Sequence, residues 1–375
     1  MPNKKILLVT RPIAPPWDEA SKNFAFYLAK NIIEFSPYLL TNGIISEIPS
    51  TQQKPIYTAN NFSYFQKLRL IKHLRKIKND FDILHYIFTP TNQNSFLLKN
   101  FVNSGKNKRA KIIQTIATLR EDLYSDKDLK DIMFGDLIIT YSDHAKNKLN
   151  ALGFNNIKRV YPGIDLEYYS PQPKDMRALK KLGFDEQDFV VTFPGEYIRL
   201  DATDDIVNMI IKYASELREK NIKIFFACRT KNDKAAIQKK SEVIEKLKSA
   251  DALDRAVFVD IFSDMTKLYN LSDVIIFPVQ NMKGKFDVPL AAIEPMACEK
   301  PVIVSDLPIL KEFANEKNSI TIERGNPKQL ADAIFDLYAH PEKRTVLGKA
   351  GRQFCEENFD IKKVADIYAQ IYAKL

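Results

Sequence analysis

Residues 285–306 read KFDVPLAAIEPMACEKPVIVSD, and this stretch decides the fold that we predict. Pro289 and Leu290 open an apolar segment of helical character that carries one acid, Glu294, and the β-branched residues 302–304 then indicate a buried strand. In an open α/β sheet, a loop that enters a helix directs backbone N–H groups toward the crevice, where they bind anions. The stretch therefore predicts an α/β sheet with an anion site at 289–291. The alternative is a core helix whose single acid has a hydrogen-bond partner.

The remaining sequence alternates strand-like and helix-like segments. Short β-branched runs at 83–88 and 111–116 are separated by amphipathic segments, and the pattern restarts at 189–193. Such alternation predicts an α/β fold of parallel, doubly wound sheets. A chain of 375 residues has room for two such cores. We predict two Rossmann-like domains with a cleft between them, at 1–165 and 174–350, and a helical segment at 351–375 that crosses back to the first.

Composition narrows the class of protein. Hydrophobic residues make up 45% and charged residues 27% of the chain, which is typical of a globular protein. The apolar runs are too short to span a membrane, and Lys4 and Lys5 lead straight into a strand without a visible signal peptide, so we predict a cytoplasmic protein. Cys228, Cys298 and Cys355 stand in separate apolar contexts without metal-type spacing, which predicts reduced core residues.

The excess positive charge lies in the first half of the chain. Residues 1–170 contain 24 Lys and Arg against 15 Asp and Glu, whereas the rest of the chain is balanced at 32 against 32. The densest part is 65–78, FQKLRLIKHLRKIK, whose apolar residues recur near helical spacing at Leu68, Ile71, Leu74 and Ile77. A basic amphipathic helix suits an anionic membrane surface, where each Lys or Arg contributes about 1 kcal/mol. The alternative is a solvated helix that packs on the sheet. No groove-reading motif accompanies the charge, so we predict no nucleic-acid partner.

Seven stretches, in order along the chain, resemble those of the group 1 (GT4) nucleotide-sugar glycosyltransferases. Six of them are PPWDEASKNFAFYLA, DILHYIF, GDLIITYSDHAKNKLNALG, VYPGIDLEYYSP, FPGEYIR and VFVDIFSDMTKLYNLSDVIIFP. The seventh is the stretch at residues 285–306 quoted above. The resemblance implies the GT-B fold, with the acceptor held by residues 1–165 and a UDP- or GDP-sugar by residues 174–350. It also implies retaining, metal-independent transfer without a cofactor. We predict that the acceptor is a glycan or lipid-linked and that the enzyme lies on the inner face of the cell membrane.

A leaving diphosphate needs fixed positive charge when no metal is present. Arg199, just after the turn at Pro194 and Gly195, has a bidentate guanidinium suited to this task. Arg229 and Lys231, at a strand end, are predicted to share the phosphates. The backbone at Pro289 and Leu290 supplies the helix N-terminus.

The resemblance also assigns roles at the sugar. Glu294 matches the second acid of the family's two-glutamate motif, which implies that it holds the ribose hydroxyls. The first acid would fall at Phe286, so the neighbouring Asp287 is predicted to replace it at the transferred sugar. The family's Arg and Lys pair would fall at Glu196 and Asp201.

Two further departures concern the first domain. Ile87 stands where many members carry an active-site His, and His85 is predicted to be structural. The family's Gly-Gly is missing from the loop near the start, which reads Trp17-Asp18-Glu19-Ala20-Ser21. Glu19 and Ser21 of this loop are predicted to position sugar and acceptor.

Two alternatives to an active enzyme remain open. One is a catalytically weak nucleotide-sugar-binding partner protein. The other is a sugar-nucleotide epimerase of the same fold, although no acid–base pair for it is evident. We predict an active glycosyltransferase whose catalytic residues are Arg199, Asp287 and Glu19.

Overall fold

The computed structural model describes residues 4–14, 19–102, 110–230, 233–262 and 264–375. The chain divides into two units. The first unit comprises Met1–Asp165, Gly284–Val288 and Asn358–Leu375, and the second comprises Leu166–Lys283 and Pro289–Glu357.

Each unit contains one parallel sheet. Within the described residues, the first sheet has seven strands in the order β3-β2-β1-β4-β5-β6-β7, and the second has six in the order β10-β9-β8-β11-β12-β13. The strands of the first sheet are β1 (Ile6–Ile13), β2 (Tyr38–Thr41), β3 (Gln53–Pro55), β4 (Ile83–Phe88), β5 (Lys111–Ile116), β6 (Leu137–Thr140) and β7 (Ile157–Arg159). Those of the second are β8 (Phe189–Phe193), β9 (Ile222–Ala227), β10 (Ala256–Val259), β11 (Val274–Phe277), β12 (Val302–Ser305) and β13 (Ile320–Ile322).

Helices flank both sheets. Those that follow the strands of the first unit are α1 (Ala20–Asn31), α2 (Tyr64–Ile77), α3 (Asn92–Leu97), α4 (Asp126–Ile132) and α5 (Asp143–Ala151). The helices later in the chain are α6 (Met176–Lys181), α7 (Thr203–Lys212), α8 (Ala214–Glu219), α9 (Lys234–Ser249), α10 (Met265–Leu271), α11 (Leu290–Ala297), α12 (Pro327–Ala339), α13 (Pro341–Asn358) and α14 (Ile361–Lys374). None of the helices in the described ranges is both long and apolar enough to cross a membrane.

The prediction of parallel, doubly wound sheets is confirmed. All residues of β4 and β8 are buried, as expected for central parallel strands covered on both faces. The strand order reverses between β1 and β4 in the first sheet and between β8 and β11 in the second. Ligands of such sheets bind beyond the carboxyl ends of the strands at these reversals.

Two local features of the first unit were not predicted. The short strand β3 was not predicted, because its sequence Gln-Lys-Pro lacks β-branched residues; it pairs with β2 at the sheet edge, where a proline is tolerated. In α2 the buried face contains Gln66, Leu70 and Leu74, whereas Leu68 is 42% exposed. The helix therefore turns Leu68 outward and packs the i, i+4 stripe onto the core.

The chain's last helix belongs to the first unit. Tyr372 of α14 places its hydroxyl 2.7 Å from His85 Nδ1, and Thr115 Oγ1 lies 2.7 Å from His85 Nε2. Burial lowers the pKa of His85 to about 3, so this ring is neutral. His85 is thus a structural residue, as predicted.

A close backbone approach holds α14 in place. The N–H of Ile164 donates to Phe359 at 2.8 Å, and the N–H of Ile361 donates back to Ile164 at 3.1 Å. A Cβ on Gly163 would lie 2.6 Å from Ile361 Cα, so only glycine fits at this turn. Cys228, Cys298 and Cys355 are buried free thiols, as predicted.

Candidate functional site

Three adjacent strands of the second sheet carry most of the candidate residues. Gly195 and Arg199 follow β8, Arg229 follows β9, and α11 with Pro289 before it follows β11. Because β9, β8 and β11 are neighbours and parallel, these loops leave the sheet at one edge, at the point where the strand order reverses. That edge is where a doubly wound sheet binds its ligand.

Glu294 is the most constrained of these residues. Its Oε2 accepts a hydrogen bond from the hydroxyl of Tyr269 at 2.7 Å. Burial raises the pKa of Glu294 to about 7, and this rise is opposed by hydrogen bonds from Tyr269 and Tyr169 and by the positive charge of Arg229. The carboxyl group is therefore oriented by two phenols and lies within reach of the Arg229 charge.

Sequence reasoning missed the residues that hold this carboxyl group. Arg352 of α13 donates from Nη1 to the carbonyl oxygens of Tyr169 and Ala297, both at 2.8 Å. It thereby ties the segment that carries Tyr169 to the end of α11. Tyr169 lies in DLEYYSP, part of a stretch that resembles the family. The sequence around Tyr169 does not indicate, however, that its side chain contacts Glu294.

The N-terminus of α11 has no side-chain cap. The N–H groups of Ala292 and Ile293 donate to Pro289 O at 2.8 and 3.0 Å. The helix also has no acid in its first turn. The N–H groups at Leu290 and Ala291 therefore lack intrahelical partners and favour an anion.

Gly195 allows the loop after β8 to turn back tightly. A Cβ on Gly195 would lie 2.1 Å from Cζ of the buried Phe193 ring. Any larger residue would have to displace this ring or the loop. The loop that carries Arg199 thus depends on a glycine here.

Arg199 has a partner from its own loop. Its Nε lies 3.4 Å from Glu196 Oε2, and the Arg199 side chain is 52% exposed. Two residues later, Asp201 has a φ of 54° and accepts from Asn281 Nδ2 at 2.7 Å. An exposed ion pair such as Arg199–Glu196 contributes little to stability, so a diphosphate can compete for the guanidinium.

Two predicted catalytic residues lie in the first unit. Glu19 forms an ion pair with Arg11 of β1. Asp287 is 6% exposed, and its two carboxylate oxygens accept from the N–H of Leu119 at 3.1 and 3.2 Å. The N–H of Asp287 donates to the carbonyl oxygen of Ala117 at 3.2 Å. Through its N–H and its carboxylate, Asp287 therefore holds the backbone of Ala117 and Leu119.

The remaining candidates are distributed as follows. Lys231 lies outside the described residues. Pro289 is buried and Leu290 is half-buried. In the described part of the chain, no group of three or more His, Cys, Asp or Glu residues is arranged to hold a metal ion.

Comparison with known proteins identifies the second unit's domain. Residues 188–340 match the family model of glycosyl transferases group 1. The chain is 21% identical over 379 residues to an uncharacterized glycosyltransferase of Methanocaldococcus jannaschii, covering 94% of this chain and 91% of that protein. It is 21% identical over 199 residues to the GDP-mannose-dependent monoacylated alpha-(1-6)-phosphatidylinositol monomannoside mannosyltransferase of Corynebacterium glutamicum, covering 52% of this chain and 50% of that protein.

A solved structure shares the fold over the whole chain. HepE from Anabaena, crystallised with UDP and glucose, superposes with a TM-score of 0.76 at 14% identity, covering 99% of this chain and 100% of that one. The narrower GT4 assignment stays a prediction. The matched domain, a relative of similar length and the two-sheet architecture together support a group 1 glycosyltransferase with the GT-B fold.

Proposed function

We propose that this glycosyltransferase moves a sugar from a UDP- or GDP-linked donor to a glycan or lipid-linked acceptor, with retention of configuration and without a metal ion. The observation that carries the proposal is the carboxyl group of Glu294, oriented by Tyr269 and Tyr169 beside Arg229. A carboxylate held in this way suits the paired hydroxyls of a ribose.

The same edge supplies positive charge for the leaving diphosphate. The guanidinium groups of Arg199 and Arg229 and the uncapped N-terminus of α11 are the sources in the described residues around the strand reversal. Preorganised charges of this kind stabilise the negative charge that develops as the glycosidic bond breaks. They provide what a metal ion would otherwise supply.

Two relatives support the choice of donor and acceptor. HepE was crystallised with UDP and glucose, and the Corynebacterium enzyme is named for GDP-mannose and a phosphatidylinositol mannoside. A nucleoside diphosphate linked to a hexose is therefore the donor class that we propose here.

A thermal-shift panel tests the donor. We expect UDP or GDP, and the matching nucleotide sugar, to raise the melting temperature, because a ligand at 100 times its Kd stabilises the folded state by about 2.7 kcal/mol. The corresponding monophosphate should give a smaller shift, since it lacks one of the phosphates that the cations meet. No shift with any nucleoside diphosphate would contradict the proposal.

The products formed from this donor distinguish the transferase from the two alternative functions. Release of the nucleoside diphosphate with sugar transfer supports the transferase. Donor binding without transfer to any acceptor or to water would instead indicate an inactive partner protein, and interconversion of the free nucleotide sugar would indicate an epimerase.

We also propose that α2 docks the enzyme on the inner, anionic face of the cell membrane. Phe65, 76% exposed, and Leu68 lie on one helical stripe with the exposed Lys72, Arg75 and Lys76. Their spacing of three and four residues puts all five on one face. Apolar side chains beside cations suit a headgroup layer.

Charge reversal on this stripe tests the membrane proposal. The triple substitution Lys72→Glu, Arg75→Glu and Lys76→Glu should weaken binding to phosphatidylglycerol vesicles at least about a hundredfold, at about 1 kcal/mol for each lost cation. Donor binding should be unchanged. Vesicle co-sedimentation measures the first quantity and thermal shift the second.

A matched control reverses three exposed lysines of the second unit. These are Lys234, Lys248 and Lys349, and their replacement by Glu changes the net charge equally. Equal loss of vesicle binding in both triples would show that net charge alone is responsible. Absence of vesicle binding by the unmodified protein would remove the membrane proposal.

A further inference from the structure

Tyr269 of α10 is buried beside the carboxyl group of Glu294. Its side chain is 1% exposed, and its hydroxyl donates to Glu294 Oε2 at 2.7 Å. Burial raises the pKa of Tyr269 well above its ordinary value, so the phenol keeps its proton and remains a donor. Glu294 itself is half-buried, so a ligand can reach its carboxyl group. The buried phenol therefore holds a carboxyl group that a ligand can still contact.

Helix α10 also holds the segment that carries the second phenol, Tyr169. Thr266 Oγ1 donates to the carbonyl oxygen of Tyr168 at 2.9 Å, and Asn270 Nδ2 donates to that of Ser170 at 3.0 Å. The helix thus carries one phenol and fixes the backbone on either side of the other. Supporting contacts of this kind keep a functional side chain in one geometry.

The two phenols oppose the effect of burial on Glu294. Burial raises the pKa of Glu294 to about 7, while hydrogen bonds from Tyr269 and Tyr169 and the charge of Arg229 act to lower this pKa. Of these three groups, Tyr269 has the largest effect. Cys298, at the end of α11, is a neutral thiol, because burial raises its pKa to about 12. Tyr269 therefore does most to favour the ionised form of the carboxyl group.

The carboxylate has room for two more hydrogen bonds. A carboxylate has about four acceptor positions, and the phenols of Tyr269 and Tyr169 take two of them. Two remain, which is the number that the 2′- and 3′-hydroxyl groups of one ribose require. Hydrogen bonds to an ionised oxygen are about twice as strong as those between neutral groups, so these contacts depend on the charge of Glu294.

We propose that Tyr269 is a positioning residue that acts through Glu294, keeping this carboxyl group ionised and in one orientation, and that it thereby selects ribonucleoside diphosphates over their deoxy analogues. This inference rests on the proposed function and names the residue that controls its ribose contact. A site built to accept hydrogen bonds from a substrate's hydroxyl groups rejects an analogue that lacks them. The strength of that rejection should follow the charge that Tyr269 helps to maintain.

Two ligands and one isosteric variant test the inference. The ligands are UDP or GDP, whichever raises the melting temperature, and its 2′,3′-dideoxy analogue, with each Kd measured by calorimetric titration. Tyr269→Phe removes only the phenol oxygen. At pH 7 this variant should bind the nucleoside diphosphate about fivefold more weakly, because an ionisation shifted by about one pH unit leaves about a tenth of the carboxyl groups charged instead of about half. The Kd of the dideoxy analogue should not change.

The pH dependence distinguishes this role from a structural one. The loss in Tyr269→Phe should shrink to less than about twofold at pH 9, where Glu294 is ionised in both proteins. The fall of kcat/KM at acid pH should lie about one pH unit higher in the variant than in the unmodified protein. A packing defect would instead weaken both ligands by the same factor at every pH.

A second variant and a control complete the experiment. Tyr169→Phe should change the same quantities in the same direction, and it replaces Tyr269→Phe if that variant does not fold. The control Tyr338→Phe removes the same hydroxyl from an exposed position on α12. It should bind both ligands like the unmodified protein.

The outcomes separate this inference from the proposed function. If the unmodified protein binds the nucleoside diphosphate and its dideoxy analogue equally, Glu294 does not contact the ribose, and its role in the proposed function fails. If the unmodified protein discriminates and folded Tyr269→Phe discriminates by the same factor at pH 7, the inference is overturned and the proposed function stands. A loss in Tyr269→Phe that is equal for both ligands would also overturn the inference.

Discussion

Glu294→Gln is expected to lower kcat/KM for the nucleotide sugar about a hundredfold, because a hydrogen bond from a ribose hydroxyl to a charged carboxylate contributes about 1.5–3 kcal/mol. The glutamine keeps the size of the side chain but removes the charge toward which Tyr269 and Tyr169 donate. Release of the nucleoside diphosphate measures the rate. The exposed Glu245→Gln carries the same chemical change elsewhere in the second unit and should be unaffected.

The pH dependence gives this prediction a second readout. Burial raises the pKa of Glu294 from 4.5 to about 7. Below pH 7 the group is protonated, so kcat/KM should fall on the acid side of about pH 7. This fall of kcat/KM at acid pH should be absent in Glu294→Gln.

The free energy of unfolding should change with pH in the direction opposite to kcat/KM. Between pH 4.5 and about pH 7 the folded state binds the proton that the unfolded state has lost. The unfolding free energy of the native protein should therefore fall as pH rises through this window, and level off above it. Urea unfolding of Glu294→Gln should lack this component. Near-normal turnover and an unchanged pH profile in the variant would remove Glu294 from the site.

Arg199→Ala is the second large effect, with an expected loss of about a hundredfold in kcat, because we propose that the guanidinium stabilises the charge of the leaving diphosphate. Arg199→Lys should recover only part of this loss, since an ammonium group lacks the bidentate fork. Single-turnover measurement of donor cleavage separates this effect on chemistry from slower product release.

The Arg199–Glu196 ion pair allows a test in the opposite direction. Glu196→Gln releases the guanidinium from its partner and should tighten binding of the nucleoside diphosphate by a few fold. Arg218→Ala removes an arginine that is similarly paired, with Asp254, away from the sheet edge, and serves as the control. If Arg199→Ala and Arg218→Ala have equal kcat values, Arg199 does not act on the diphosphate.

Much of the fold could be predicted because its signals are local. The β-branched runs at β4 and β8 predict strands with the observed bounds, since burial on both faces requires continuous apolar residues. Ser142 precedes α5 and is a typical N-cap residue, and its hydroxyl accepts from the N–H of Ala145 at 3.1 Å. Gly153 follows that helix at a φ of 96°, a conformation that glycine adopts without strain.

The site was predictable only in outline. Strand ends and the turn into α11 identify the sheet edge, and a family motif identifies Glu294. The sequence does not show which side chains meet there. In the structure, Arg199 pairs with Glu196 and Asp287 accepts from the N–H of Leu119, whereas their predicted roles toward phosphate and sugar stay predictions.

By itself, the amino-acid sequence determined the two α/β cores, the strands at their centres and the group 1 resemblance, because hydrophobic periodicity and turn residues act over a few neighbouring positions. The tertiary structure alone decided the partners of the candidate carboxyl groups, Glu294 and Asp287. Glu294 and Tyr269 are 25 residues apart, and Asp287 and Leu119 are 168 apart. Pairs so distant meet only after the helices and loops have packed, and no local pattern encodes that packing.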